Sequence, residues 1–520
     1  MLATITIPIS AHFNALDQIS WIATTYAIGS SVSQPLSGHL TDIFGRRSGL
    51  VACYFLFMVG TLMSGLSFYA TSTHGSPLWL FLLGRVAQGL GGGSLCSITS
   101  FIESDLVPLK KRPLIEGIGN VAYGAMLAVG GFYGGAVHEA IGWSWAFLIQ
   151  VPVIAVDALL VLLVVRVPSP RRQQEPVLVP VNASRPRPGL PTPSSSESMA
   201  PMEDSNLKKK TIDYLGCFLI LLSITLFQLG INNSGTRSSS SISSSSWNNP
   251  LTISALTISG ITMIAFISWE LRISSSGRPA LIPIRMLVFN RTIGSSQASY
   301  FFANAAFSSV LFYVPIYLQV LGASAAKSGL QLVPYAASFA VGSFVAGAAV
   351  ERQGRYYLVN VFVQILAVGG VTCLCTMDSG TPSWALYVYL VVLGLGYGGG
   401  YVTRLMGLLT SADKETQAVI QAASWTIGST GSALGISVAS VIFQKLTQDQ
   451  LADMDMFKAD PGLLDAIRKS FGALDGLPGN IRQDIVAIYT SATRGPFFFC
   501  LGTIVAAAAA SLVMKNNKIN

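Results

Sequence analysis

Charge is what this 520-residue sequence has least of. Asp, Glu, Lys and Arg together make up 11% of it, against about a quarter in ordinary soluble domains. Apolar residues make up 51%, and the mean hydropathy is +0.55. That balance excludes a soluble globular chain and reads as an all-α integral membrane protein. Histidine is almost missing: His12, His39, His74 and His138 stand singly near the ends of apolar stretches, without metal-ligand spacing. No metal and no other cofactor is therefore expected. The six cysteines, Cys53, Cys96, Cys217, Cys373, Cys375 and Cys500, fall inside apolar stretches rather than in paired loops, and read as packing residues. Gly91-Gly92-Gly93 is followed by no Gly-Lys-Ser/Thr, so it is not a phosphate loop. Without an enzymatic constellation or an ATP-binding domain, the chain reads as a non-enzyme powered by an ion gradient, or as a passive facilitator.

What is present is a series of segments long enough to cross a bilayer. About 20 residues, each rising 1.5 Å, cover a hydrocarbon core roughly 30 Å thick. Spans are predicted near 17–38, 48–69, 77–102, 113–137, 144–166, 212–231, 250–269, 292–320, 326–350, 356–376, 383–410, 414–444 and 494–514. The apolar stretch MLATITIPIS is too short to be another span and lacks the basic region of a signal peptide, so it reads as the end of a truncated first helix. Counted as helix 1, it brings the total to fourteen. Loops after even-numbered helices and the C-terminal tail collect most of the 32 Lys and Arg, among them Arg46, Arg47, Lys110, Lys111, Arg112, Arg352 and Arg355. That asymmetry assigns those loops to the cytoplasm. It also makes the net charge of +8 a topology signal, and no nucleic-acid partner is expected.

The segments organise as an N-terminal bundle over 1–166 and a linker over 167–211, which is rich in Pro, Ser and Arg and expected to be disordered. Two accessory helices over 212–269 and a cytoplasmic loop over 270–291 follow. A C-terminal bundle occupies 292–514 and includes a non-cytoplasmic loop, 446–493. The mixture of acids and apolar residues in that loop predicts short amphipathic helices lying on the membrane face; a plain solvated loop is the alternative. The serine tract Ser238–Ser246 suggests a flexible connection, and Asn232-Asn233-Ser234 has the form of a glycosylation acceptor.

Gly38-His-Leu-Thr-Asp42-Ile-Phe-Gly45-Arg46-Arg47 gathers an acid and two arginines between glycines in the tight cytoplasmic connection of helices 2 and 3. The stretch resembles the GxLaDrxGrk signature of major facilitator superfamily transporters. A partial copy, Gly347-Ala-Ala-Val-Glu351-Arg352-Gln-Gly354-Arg355, follows helix 10, as two bundles of shared ancestry would place it. Asp42 and Arg46 suit a gate latch of charge-assisted hydrogen bonds, and Gly38 and Gly45 suit a close turn. Arg47 either joins the latch or only anchors topology. Gly84-Arg85-Val-Ala-Gln88-Gly89-Leu-Gly91-Gly92-Gly93 is similar to the RxxqGxgxa signature of the same superfamily, which implies a role for Arg85 in proton coupling. In helix 5, Gly130-Gly131-Phe-Tyr-Gly134-Gly135 resembles the antiporter signature GPxxGG, with Gly131 where the proline would stand. Trp143-Ser-Trp145-Ala-Phe147-Leu-Ile149-Gln150-Val-Pro152 resembles the start of helix 6 in the fourteen-span drug:proton antiporter branch. Across nearly its whole length the chain is similar to fungal multidrug and toxin exporters and to vacuolar basic amino acid transporters.

Asp157 is the deepest acid in any predicted span, where an ionised carboxylate is expensive unless paired or solvated. It is expected to take up the coupled proton, to pair with cationic cargo, or to satisfy Arg85. Arg404, nearer the cytoplasmic end of helix 12, is expected to snorkel to the interface. Polar and aromatic candidates for the substrate cavity are Gln88, Asn120, Tyr123, Asn304, Tyr313, Gln331, Tyr335, Gln421 and Trp425. The resemblance implies two six-helix bundles with two accessory helices between them, rocking about a midplane site. It implies a monomer in the lipid bilayer that exports small organic molecules from the cytoplasm in exchange for protons. The alternatives are import of basic amino acids into the vacuole, and a membrane sensor that binds without transporting. Plasma and vacuolar membranes both remain open.

Overall fold

Residues 1–70, 78–108, 111–165, 213–235, 249–275, 282, 284–377, 380–412, 416–452 and 479–516 are described by the computed structural model. The expected linker 167–211 and the serine tract lie outside the described residues, as does 453–478 of the loop 446–493. The chain is all-helical throughout its elements. The short helix α1 is Leu2–His12; α2 is Ile19–Phe44, α3 Arg46–Leu66, α4 Leu78–Leu106, α5 Arg112–Ile141 and α6 Trp145–Val164. Two further helices, α7 (Tyr214–Gly235) and α8 (Pro250–Ser275), precede α9 (Arg291–Val320) and α10 (Ala325–Gln353). The series closes with α11 (Tyr357–Cys375), α12 (Ser383–Leu409), α13 (Gln417–Ala452) and α14 (Arg494–Leu512). Every predicted span is thus a helix.

Eleven helices among the described residues are long and apolar enough to cross a membrane. Helices α2 and α4 are as long, 26 and 29 residues, but more polar. They pack on each other and bury Thr24, Ser31, Gln34, Arg85 and Gln88. Polar residues turned inward, away from lipid, are what an aqueous pathway requires.

The N-terminal half packs α4 against α2 and α3, with α6 on the outside of α3; the C-terminal half packs α12 against α10 and α11, and α9 against α13 and α14. The halves meet along two helix pairs, α5 with α10 and α2 with α13. Lipid supplies no hydrophobic drive between helices, so close backbone approach at small residues matters most, and α5 follows that rule. A Cβ on Gly117 would lie 3.2 Å from the Ser343 carbonyl, one on Gly124 2.7 Å from that of Ala336, and one on Gly131 3.1 Å from that of Gly329. Their seven-residue spacing keeps all three on one helix face, and Gly135 extends the row onto the backbone of Ala325 and Ala326. The partner numbers fall as the α5 numbers rise, so the two helices run antiparallel.

The accessory pair is stitched to itself and to α2. Ser223 Oγ donates to the Ser259 carbonyl (3.1 Å) and Ser259 Oγ to that of Ser223 (2.9 Å). Asp213 accepts the Gly216 amide (2.9 Å) at the start of α7 and the Trp269 indole N–H of α8 (3.0 Å). Asn232 is 1% exposed; its Oδ1 accepts from Ser20 (2.6 Å) and its Nδ2 donates to Thr24 (2.8 Å). The expected glycosylation acceptor is therefore a buried cross-helix contact with no room for a sugar. Beyond the predicted end of helix 13, α13 continues to Ala452, and the helix Gly479–Ala492 buries Ile485, Tyr489 and Ala492 in the same core as Leu451. That helix packs against the C-terminal half.

Candidate substrate pathway and gates

One end of the N-terminal half turns on Gly45, the one residue between α2 and α3. Its φ of 90° and ψ of 150° lie in a region that glycine alone occupies readily. A Cβ on Gly38 would meet only the edge of Phe101, at 3.5 Å, an ordinary contact. The Arg46 guanidinium donates to Thr41 Oγ1 (2.7 Å) and lies 5.0 Å from the Phe101 ring centroid, tying α3 to α2 and α4. Arg47 reaches the Leu162 carbonyl in the last turn of α6, a favourable place for a cation. Besides any role in topology, it fastens α6 to α3. The side chain of Asp42 lies outside the described residues. In the partial repeat, Gly354 takes a left-handed φ of 62°, and Gly347 abuts the Pro113 carbonyl of α5. The second copy thus stands at the junction of the halves.

That junction holds residues the motifs did not single out. Arg112 Nη1 donates to Gln417 Oε1 (3.0 Å), joining α5 to α13. Beside it, Glu103 of α4 and Glu116 of α5 face one another. Deeper in, Trp425 Nε1 donates to Ser100 Oγ (2.9 Å) and Ser429 Oγ to Gln34 Oε1 (2.8 Å), both between halves. At the opposite end Glu139 accepts the Ala326 amide (2.9 Å). Contacts between the halves are thus present at both ends.

Arg85 is buried and donates to Gln88, whose Nε2 donates to Thr61 Oγ1 of α3 (3.0 Å). The guanidinium also lies 4.9 Å from the Tyr26 ring centroid. Arg85 and Gln88 are joined to each other, and their further partners are a hydroxyl and a ring. Asp157 is elsewhere. It sits among the exposed residues Val153, Val156 and Leu160 on the outer face of α6, with the Tyr54 hydroxyl as its hydrogen-bond partner. No contact joins it to Arg85. The expectation that Asp157 pairs with Arg85 or with cargo is corrected by the position of α6: its start packs on α3 and α5, while the part that carries Asp157 packs on α3 and turns its other side outward.

The remaining candidates divide. Gln421 and Trp425 line a small cavity within the C-terminal half with Ser296, Gln297 and Tyr300 of α9 and Tyr401 and Arg404 of α12. Asn304 borders this region, accepting from Tyr397 (3.2 Å) and donating to the Tyr300 carbonyl (2.8 Å). Tyr123 is 52% exposed yet within electrostatic reach of Tyr26, Tyr300, Tyr335 and Tyr397. Its open edge therefore faces the space between the halves. Asn120 is buried on the α5 face that carries the glycine seam. Tyr313 is enclosed with Phe312 and Phe443 in the core of the C-terminal half, so it packs and does not line the cavity. Tyr335 is enclosed against Phe307, and Gln331 is buried in the turn preceding Val333. Of the antiporter-like glycines, Gly131 and Gly135 form the seam with α10. Gly134 faces Thr4 of α1 (2.9 Å), and a Cβ on Gly130 would meet nothing nearer than 3.8 Å.

Arg404 overturns its sequence reading. It is 2% exposed, and its side chain runs back toward the start of α12. A Cβ on Gly400 would lie 2.8 Å from Nη1, and the guanidinium is 5.6 Å from the Tyr397 ring centroid. Helical side chains lean toward their own N-terminus, which carries this one a turn deeper than its Cα. A glycine four residues earlier was the signal available in the sequence.

Known proteins match this architecture. The family described as the Major Facilitator Superfamily matches residues 1–436. The vacuolar membrane amino acid uptake transporter fnx2 of Schizosaccharomyces pombe is 28% identical, over 98% of this chain and 80% of its own. The multidrug resistance protein fnx1 of the same yeast is 27% identical, over 96% and 86%. The vacuolar basic amino acid transporter 2 of Saccharomyces cerevisiae is 24% identical, over 96% and 98%. Among solved structures, an auto-inhibited POT family peptide transporter aligns with a TM-score of 0.54 at 15% identity, covering 99% of this chain and 94% of that one. The xylose transporter XylE of E. coli aligns at 0.53 and 12%, covering 98% and 91%. Two helical halves that meet along α5 with α10 and α2 with α13 belong with that family match: this chain is a member of the Major Facilitator Superfamily, an integral, multi-pass membrane transporter.

Proposed function

We propose that the protein exports small organic molecules from the cytoplasm in exchange for protons, the two halves rocking against one another. One observation carries the reading: the glycine row of α5 packs backbone to backbone on α10 from Gly117 to Gly135. A seam of that kind lets helices slide without repacking large side chains. The multidrug resistance protein fnx1 among the relatives supports the direction. Arg85, held by Gln88 beside Tyr26, is the coupling candidate in the N-terminal half. Glu103 and Glu116 beside Arg112 are carboxyl groups placed to exchange a proton as the cytoplasmic end opens and shuts.

Import of amino acids into the vacuole is the second reading, supported by the names of the vacuolar relatives. Both readings move cargo out of the cytoplasm, so they differ in membrane and cargo rather than in direction. Asp157 no longer favours basic cargo, because it faces outward. Fluorescence microscopy of the tagged full-length protein separates the readings: a vacuolar rim supports the importer, a cell-surface rim the exporter. Gradient-driven flux in proteoliposomes tests both against a sensor that binds without transporting.

A further inference from the structure

We propose that Arg404 is the recognition site for a carboxylate on the cargo, so that the protein's substrates are small organic acids or amino acids rather than purely cationic compounds. The proposal deepens the transport reading, since it needs the cavity beside Arg404 to lie on the cargo's path.

The guanidinium is enclosed, yet Nε and Nη2 make no hydrogen bond. These two nitrogens form one edge of the group, the edge that presents two parallel N–H donors to a carboxylate. Nη1 lies on the other side, over Gly400. Leaving a buried cation unpaired costs several kcal/mol, and no carboxylate among the described residues acts on Arg404. The ionisable groups acting on Arg404 are the phenols of Tyr397, Tyr300 and Tyr401. The carboxyl groups of Glu103 and Glu116 reach Tyr401 but not Arg404.

The cavity wall completes a pattern. Gln297 Oε1 and Gln421 Oε1 are both buried without a partner and belong to the same lining as Arg404. Two vacant acceptors near one vacant donor edge complement a molecule bearing a carboxylate and an N–H or O–H group. Tyr300, Tyr401 and Trp425 supply flat walls for its apolar body. Arg85, by contrast, has Gln88 as a partner for its guanidinium.

The test uses the full-length protein in nanodiscs, with 3-phenylpropionate, its neutral amide 3-phenylpropionamide and phenylalanine as titrants. The carboxylates are expected to bind at least tenfold more tightly than the amide, a ratio that charge-assisted bonds provide. Arg404→Gln should erase that preference, and Arg404→Lys, which keeps charge but not the fork, should recover part of it. Absence of carboxylate binding, an amide bound equally well, or a preference that survives in Arg404→Gln would each overturn the proposal. If Arg404→Gln does not fold, the comparison of acid with amide on the unmodified protein decides alone. Proton-driven uptake of ethidium in proteoliposomes, measured in parallel, distinguishes the failures. Ethidium transport without carboxylate preference sinks the assignment of Arg404 and leaves the transport reading standing.

Discussion

Gly38 and Gly45 look alike in the sequence, seven residues apart in one motif, but the backbone separates them. Gly45 holds a φ of 90° that other residues reach only with strain, whereas a methyl on Gly38 merely touches Phe101. Gly45→Ala should lower stability by about 1–3 kcal/mol, and Gly38→Ala by less than about 0.5 kcal/mol, read as the thermal midpoint of detergent-purified protein. The arginines show a similar limit of sequence reading. That Arg85 lies within a span was legible from its position, but its pairing with Gln88 was not. Arg404 was misread because its Cα lies near the end of α12 while its guanidinium points the other way. Asp157 was misplaced for a different reason: mid-span depth is visible in a sequence, but which way a helix faces depends on its neighbours. Replacing Arg85 by Ala should cut gradient-driven flux at least tenfold, while Asp157→Asn, on the outer face, should leave it within twofold.

At the scale of helices, periodicity and length located every span, because a bilayer imposes one length on all of them. The seam on α5 was only half legible. Gly130 to Gly135 stood out as a motif, but Gly117 and Gly124 acquire meaning only once α10 is laid against them. Gly124→Val and Gly135→Val should each force the halves apart and abolish transport, whereas Gly119→Val, with nothing within 4 Å, should preserve it. Measuring flux alongside the amount of folded protein in the membrane checks the contrast. The accessory pair was recognised as helices, yet its attachment through Asn232 to Ser20 and Thr24 could not be read. A tripeptide suggesting a glycan gives no hint that its side chain is buried. Treatment with an endoglycosidase should therefore leave Asn232 unmodified and the protein's mobility indifferent to Asn232→Gln.

For the whole molecule, the contacts at both ends are the feature that motion must break. Arg112 with Gln417 joins the halves at one end, and Glu139 with Ala326 joins them at the other. After the six native cysteines are replaced, paired cysteines at 112 and 417, or at 139 and 326, should cross-link under oxidation. Either bond should arrest transport until it is reduced, because alternating access needs each end to open in turn. Proton exchange is tested most directly by the sign of the gradient that drives uptake. Proteoliposomes bearing the full-length protein would be given an acidic lumen, an alkaline lumen or no gradient, and entry of radiolabelled organic acids and cations would be followed. Accumulation that requires the acidic lumen, and stops when the gradient is collapsed, is the predicted result. Accumulation that requires an alkaline lumen, or flux indifferent to the gradient, would contradict proton antiport.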